Sequence, residues 1–194
     1  MDNMKDEVKD KIKKYSDKKY FEGYIQNEFL TNDGDADINI NLKNKEELFD
    51  EKTSGRQLEL RKDIYDYIDD KAAILDNNVQ INLHIRGLEI SEREKGRARH
   101  IIKEHYAIEL YRIQKEYIVN RNKIIRLFLL GSLFLILYAV FYSLTNSEFL
   151  SEVFVFLFSF SLWQAFEKLI FNLSNLKTNR DAIAQKLLIN VEFE

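Results

Sequence analysis

Residues Ile124–Leu144 read IIRLFLLGSLFLILYAVFYSL, and after TNSE residues Phe149–Phe171 read FLSEVFVFLFSFSLWQAFEKLIF. From Leu127 to Thr145, nineteen successive residues carry no charge. A helix rises ~1.5 Å per residue, so such a run matches the ~30 Å hydrocarbon core of a bilayer. The second run is as long, and its charges lie near its ends, at Glu152, Glu167 and Lys168. Two such runs joined by a short turn predict a transmembrane helical hairpin, with spans at about 124–144 and 149–171. The lipid bilayer is thus the first expected partner.

The charges beside the spans orient the hairpin. Arg112, Lys115, Arg121, Lys123 and Arg126 precede the first span, and Lys168, Lys177, Arg180 and Lys186 follow the second or close it. The turn between them holds Glu148 and Glu152 but no Lys or Arg. Basic residues stay on the cytosolic side. The expectation is a multi-pass protein of the cell membrane with both termini in the cytoplasm.

Composition narrows the function. The chain has 194 residues and a net charge of −3, so no basic field marks it for nucleic acid. It has no cysteine, which excludes disulfides, thiolate metal sites and thiol nucleophiles. It has no proline to kink a long helix. The first 25 residues lack the apolar stretch of a signal peptide.

Around the hairpin the chain reads as a small mixed domain. Residues 1–29 are charge-rich and read as a solvated helix, whose basic cluster Lys9–Lys19 could touch anionic headgroups. Asp33, Asp35 and Asp37 open like a calcium loop, but Ile38 and Asn44 stand where that loop needs Gly and Glu. Ile38, Ile40 and Leu42 alternate with polar residues and predict a strand, followed by a helical turn over Lys45–Phe49. A helix over about 61–75 would bury Ile64, Tyr67, Ile68 and Leu75. Val79, Ile81, Leu83 and Ile85 predict a second strand, and Gly87 the turn after it.

Ser91 and Glu94 form a capping box that starts a helix with no stop before Leu144. At that length, about 80 Å if straight, a bend near Gly96 or Asn120–Asn122 is expected. Tyr106, Leu110, Ile113, Tyr117, Asn120 and Ile124 follow heptad spacing, as do Leu173, Leu176, Arg180, Ile183 and Leu187. They predict an antiparallel two-helix stalk. Leu187, Ile189, Val191 and Phe193 alternate and predict a last strand that returns to pair in parallel with the second.

The expected architecture is therefore α+β. A cytosolic domain and stalk helix fill residues 1–123, the hairpin 124–171, and a cytosolic helix and returning strand 172–194. Phe49, Ser54-Gly55-Arg56, Ile64-Tyr65-Asp66-Tyr67-Ile68, Lys103-Glu104-His105-Tyr106, Trp163 and Phe193 stand in an order that resembles a family of uncharacterised bacterial two-transmembrane-helix proteins. That resemblance implies this architecture and no activity.

No catalytic or cofactor constellation emerges. His100 and His105 lie 1.4 helical turns apart, so they cannot share an ion from one face. His105 is expected beside the core and His84 on the polar face of its strand. Ser54-Gly55-Arg56 reads as a surface turn rather than an anion site. The functional candidates are contacts. Matching depths from Ile124 and Phe171 sets Gly131 level with Gln164, near Trp163 and Ala165, and Arg126 near Glu167. In the stalk the same arithmetic sets Arg180 beside Glu116. The expected function is a membrane-tethered interaction or regulatory module with no catalysis, cofactor or metal. Its partner would be an unidentified protein or a second copy. The alternative is a membrane-perturbing effector that oligomerises through its hairpin.

Overall fold

The computed structural model describes residues 22–25, 28–53, 55, 58–145 and 148–194. The basic cluster and most of the N-terminal helix reading, up to residue 21, and the readings of Ser54, Arg56 and Asn146, lie outside these residues. The chain is mixed α and β. Strand β1 (Ala36–Asn41) leads through a 3-10 turn to helix α1 (Lys62–Ala72) and strand β2 (Ile81–Arg86). Helix α2 (Glu92–Thr145) follows, then helix α3 (Glu148–Glu167), a π-helical turn (Lys168–Leu173), helix α4 (Ser174–Leu187) and strand β3 (Asn190–Phe193). The chain divides into two compact units. One comprises residues up to Ala107 with Ala182–Glu194, and the other is Ile108–Asp181.

The first unit is built on a three-stranded sheet, in the order β1-β2-β3. Both pairings are parallel, with Ile38 opposite Leu83 and Leu83 opposite Val191. Strand order advances in one direction, so right-handed crossovers put both connections on the same face. That face carries the core. Ile81, Leu83 and Ile85 of the central strand are fully buried, with Ile38, Leu48, Ile68, Ile102, Tyr106 and Ile189 around them. The other face is polar, with Asn39, His84 and Glu192 side by side across the strands. The expected parallel return of the C-terminal strand is what the structure has. Its boundary differs, because Leu187 ends α4 and Leu188 is 69% exposed.

Local chemistry explains the joints. Ser91 and Glu94 form the expected capping box, each with its side chain on the other's backbone N–H. Gly87 turns with φ +78, and a Cβ there would meet the Leu42 carbonyl oxygen at 2.7 Å. Helix α1 buries Tyr65 rather than Tyr67. Tyr67 is 40% exposed and its hydroxyl donates to the Asn39 carbonyl at 3.2 Å. The 3.6-residue period admits both tyrosines, and the tilt of the helix on the sheet selects one. Helix α2 continues without a break through Gly96 and Asn120. The irregular turn is on the other side of the hairpin, where Lys168–Leu173 is π-helical.

Candidate functional site

In the second unit two long apolar helices pack side by side. Ile124, Leu127, Gly131, Phe134, Tyr138 and Phe141 are among the less exposed positions of α2 in this stretch, spaced by three and four. Ser151, Phe154, Phe158, Ser161 and Ala165 are among those of α3. Phe141 stacks on Phe154 with ring centroids 5.2 Å apart, and Phe128 meets Phe166 edge-on at 5.8 Å. Small residues let the helices approach where they cross closest. Ala165 is fully buried, and a Cβ on Gly131 would lie 3.5 Å from that of Ser161. The serine hydroxyls stay within their own helices: Ser161 donates to the Leu157 carbonyl at 2.8 Å and Ser132 to that of Phe128 at 2.9 Å.

The atoms nearest a Cβ on Gly131 would be those of Ser161, Leu162 and Phe158. Trp163 points away and is 71% exposed. Depth matching gives the level of a residue but not its helical phase. Trp163 lies two residues, about 200°, from both Ser161 and Ala165, so it must face outward when they face in. The regular spacing of the small residues Ser161 and Ala165 was the available signal. Arg126 and Glu167 are both exposed, and among the described residues no ion pair joins them. Arg180 pairs with Asp181 at 2.9 Å and lies over the Tyr117 ring at 5.9 Å, so Glu116 is not its partner. An acid one residue away reaches the guanidinium at smaller conformational cost than one on another helix.

Most of the apolar surface of this unit faces outward. Only 11% and 17% of the most apolar stretches of its two helices are buried. Leu129, Ile136, Leu144, Phe149, Phe156 and Ile170 each expose more than half of their surface. Near the turn, a groove of about 730 Å³ is lined by Tyr138, Tyr142, Ser151, Glu152 and Ser159 among others. The Ser151 hydroxyl is buried there without a hydrogen-bond partner.

The first unit holds two polar clusters that the sequence reading missed. On the helical side, Asp69 accepts from the Tyr106 hydroxyl at 3.0 Å and from Lys186 Nζ at 2.7 Å, joining α1, α2 and α4. Tyr106 thus belongs to the sheet unit's core rather than to a stalk seam. His105 stacks on Tyr65 at 3.8 Å, and burial pushes the Tyr65 phenol up to about 12. His100 and Glu104 stand 3.8 Å apart on an exposed surface.

On the open face of the sheet, His84 Nδ1 lies 3.1 Å from Glu194 and 3.6 Å from Glu192. Its Nε2 lies 3.5 Å from Asp37. Arg86 Nε donates to the second oxygen of Glu194 at 2.6 Å, and Asn190 to that of Glu192 at 3.0 Å. The Arg86 hydrogen bond, its charge and that of His84 hold the Glu194 carboxyl below its usual range, against some desolvation.

Comparison with known protein families, with curated proteins and with solved structures finds no match.

Proposed function

We propose that this chain is a membrane-tethered interaction module without catalysis, held by the α2–α3 hairpin and presenting its sheet unit to the cytosol. The observation that carries this reading is the outward apolar surface of Leu129 to Ile170. Apolar area exposed to water costs about 25 cal/mol per Å², and a continuous band of it needs a cover. Lipid is the cover that suits two helices apolar on their outer sides. The lack of Lys and Arg in the turn, against the basic residues at both inner ends, supports cytosolic termini.

A reporter active only outside the cytosol tests the topology. It should be active when inserted at Asn146 and silent when fused at Glu194. Activity at Glu194 would end the hairpin reading. The module reading itself is tested by purification in gentle detergent, which should bring down a stoichiometric partner protein.

The groove near the turn favours a second reading. Ser159 is exposed at a depth where polar groups are costly, Glu152 borders the groove next to the turn, and Ser151 is unpartnered. Hairpins that pair through this groove would give the polar groups partners and form a membrane-perturbing oligomer. Depolarisation of cells on overexpression, lost with Glu152→Leu, would support that reading over the first.

A further inference from the structure

We propose that His84, Glu192 and Glu194 bind a divalent cation of borderline character, zinc being the best match, on the open face of the sheet. The chain places one imidazole and two carboxylates on adjacent parallel strands. His84 is in the middle of β2, and Glu192 and Glu194 share one face of β3 and its continuation because strand side chains alternate. One ligand atom from each of the three falls within 4.8 Å of the others.

The distances suit an ion. Four-coordinate zinc with bonds of ~2.0–2.2 Å sets its ligand atoms roughly 3.3–3.5 Å apart. The two carboxylate oxygens lie 3.1 and 3.6 Å from Nδ1. Three protein ligands leave a fourth position for water or a partner's group.

The surroundings orient each donor. Asp37 faces the other ring nitrogen at 3.5 Å, and Asn82 donates to the same Asp37 oxygen at 3.3 Å. A carboxylate beside the far nitrogen of an imidazole favours the tautomer that frees the near nitrogen for metal, and an ion there would replace the Nδ1–Glu194 hydrogen bond of 3.1 Å. Arg86 and Asn190 each hold the carboxylate oxygen that is not turned to His84, which leaves the other one available. With a proton on Nε2, the Nδ1 lone pair looks at two anionic oxygens. That arrangement is repulsive until a proton or a cation lies between them. An imidazole ligand favours zinc over magnesium or calcium, which prefer oxygen alone. A bound ion would fasten the short returning strand to the centre of the sheet.

This inference does not depend on the membrane reading, because every residue in it belongs to the sheet unit. The test is calorimetric titration of Zn²⁺ into the full chain in detergent, with melting followed by circular dichroism. The expected result is one ion per chain and a melting temperature that rises with zinc. His84→Ala and Glu192→Gln should each abolish saturable binding and the zinc-dependent rise. Melting without zinc reads any loss of folding separately. Asp37→Asn should weaken binding by about 10–100-fold, the usual effect of losing such an outer partner. Protons compete for Nδ1, so binding should weaken on acidification. No saturable binding, stoichiometric binding that survives His84→Ala, or binding of Ca²⁺ but not Zn²⁺ would each overturn the proposal.

Discussion

The sheet unit and the helix pair use the same apolar residues in opposite ways. In the sheet unit Ile81, Leu83 and Ile85 are fully buried and polar side chains cover the outside. In the helix pair, small or polar residues such as Gly131, Ser161 and Ala165 lie inside, and Leu129, Phe156 and Trp163 lie outside. On the membrane reading proposed above, the contrast follows from the solvent around each unit. Against water, apolar area drives burial. Against hydrocarbon that drive vanishes, and close packing of small residues holds the helices together. A core substitution should therefore harm one unit, and a surface substitution the other.

The largest effect should come from deleting Asn190–Glu194. That removes Val191, 5% exposed, and uncovers one edge of β2. Burial of one such side chain is worth roughly 1.5–3 kcal/mol, and loss of the strand's pairing adds to it. A small domain has only ~5–15 kcal/mol in all. Limited proteolysis should then cut within 36–107, whereas the helix pair should still fractionate with membranes. Unchanged protease resistance would show that β3 contributes nothing to the sheet.

Ile136→Arg, near the middle of the first span and 60% exposed, should do the reverse. A charge at the centre of a span costs ~2.5–3.5 kcal/mol of insertion, so carbonate extraction should release the protein. Tyr111→Arg, on the same helix and 69% exposed, should leave it in the pellet. Equal behaviour of the two variants would remove the distinction between the exposed surfaces of α2.

Tyr106→Phe sharpens the account of the sheet unit. It removes a hydrogen bond to Asp69 that Lys186 shares, and the change should cost about 1–3 kcal/mol in denaturant melts. A similar loss from Tyr111→Phe would argue that this part-buried network has no special weight.

In the helix pair, Gly131→Ala should be harmless or stabilise by up to about 1 kcal/mol. Its Cβ would make ordinary contacts, and alanine favours helix. Cysteines at 131 and 161 should form a disulfide within one chain, since the Cβ separation of 3.5 Å is within range. Bonds formed only between chains would favour the oligomer reading.

The smallest effects are those of pH on the sheet unit. Hydrogen bonds, first from Lys45 and then from Ser91, lower the Glu94 carboxyl from 4.5 to about 2. Its stabilisation is present above 4.5 and fades as pH falls toward 2. Glu94→Gln should flatten acid melts in that window. For Tyr65 the sign is opposite: its contribution is full below 10.0 and fades as pH rises to about 12. Tyr65→Phe should remove that alkaline loss.

Much of this architecture is legible in the residues. Nineteen uncharged residues, the Ser91–Glu94 capping box and the alternation of Ile81, Leu83 and Ile85 with polar neighbours are local patterns, and local patterns write elements directly. The returning strand is legible for the same reason: Ile189 and Val191 alternate with polar residues where a solvated tail would have no use for them.

Which residues meet is a different matter. Alternation usually marks an antiparallel sheet with one wet face. Here the crossovers make both strand pairings of the sheet parallel and still leave one face open. That topology brings His84 to Glu192 and Glu194, more than a hundred positions away, and no local pattern records such a distance. Helical phase likewise turned Trp163 outward and Ser161 toward Gly131, although both lie near the matched depth. Asp69, Tyr106 and Lys186 each look like an ordinary surface or seam residue in sequence, and they become partners only when three helices converge on one sheet face. The period of each element is written in its residues, because local sterics and hydrophobic spacing set it. Contacts between elements depend on phase and crossover handedness, which are properties of the packed whole.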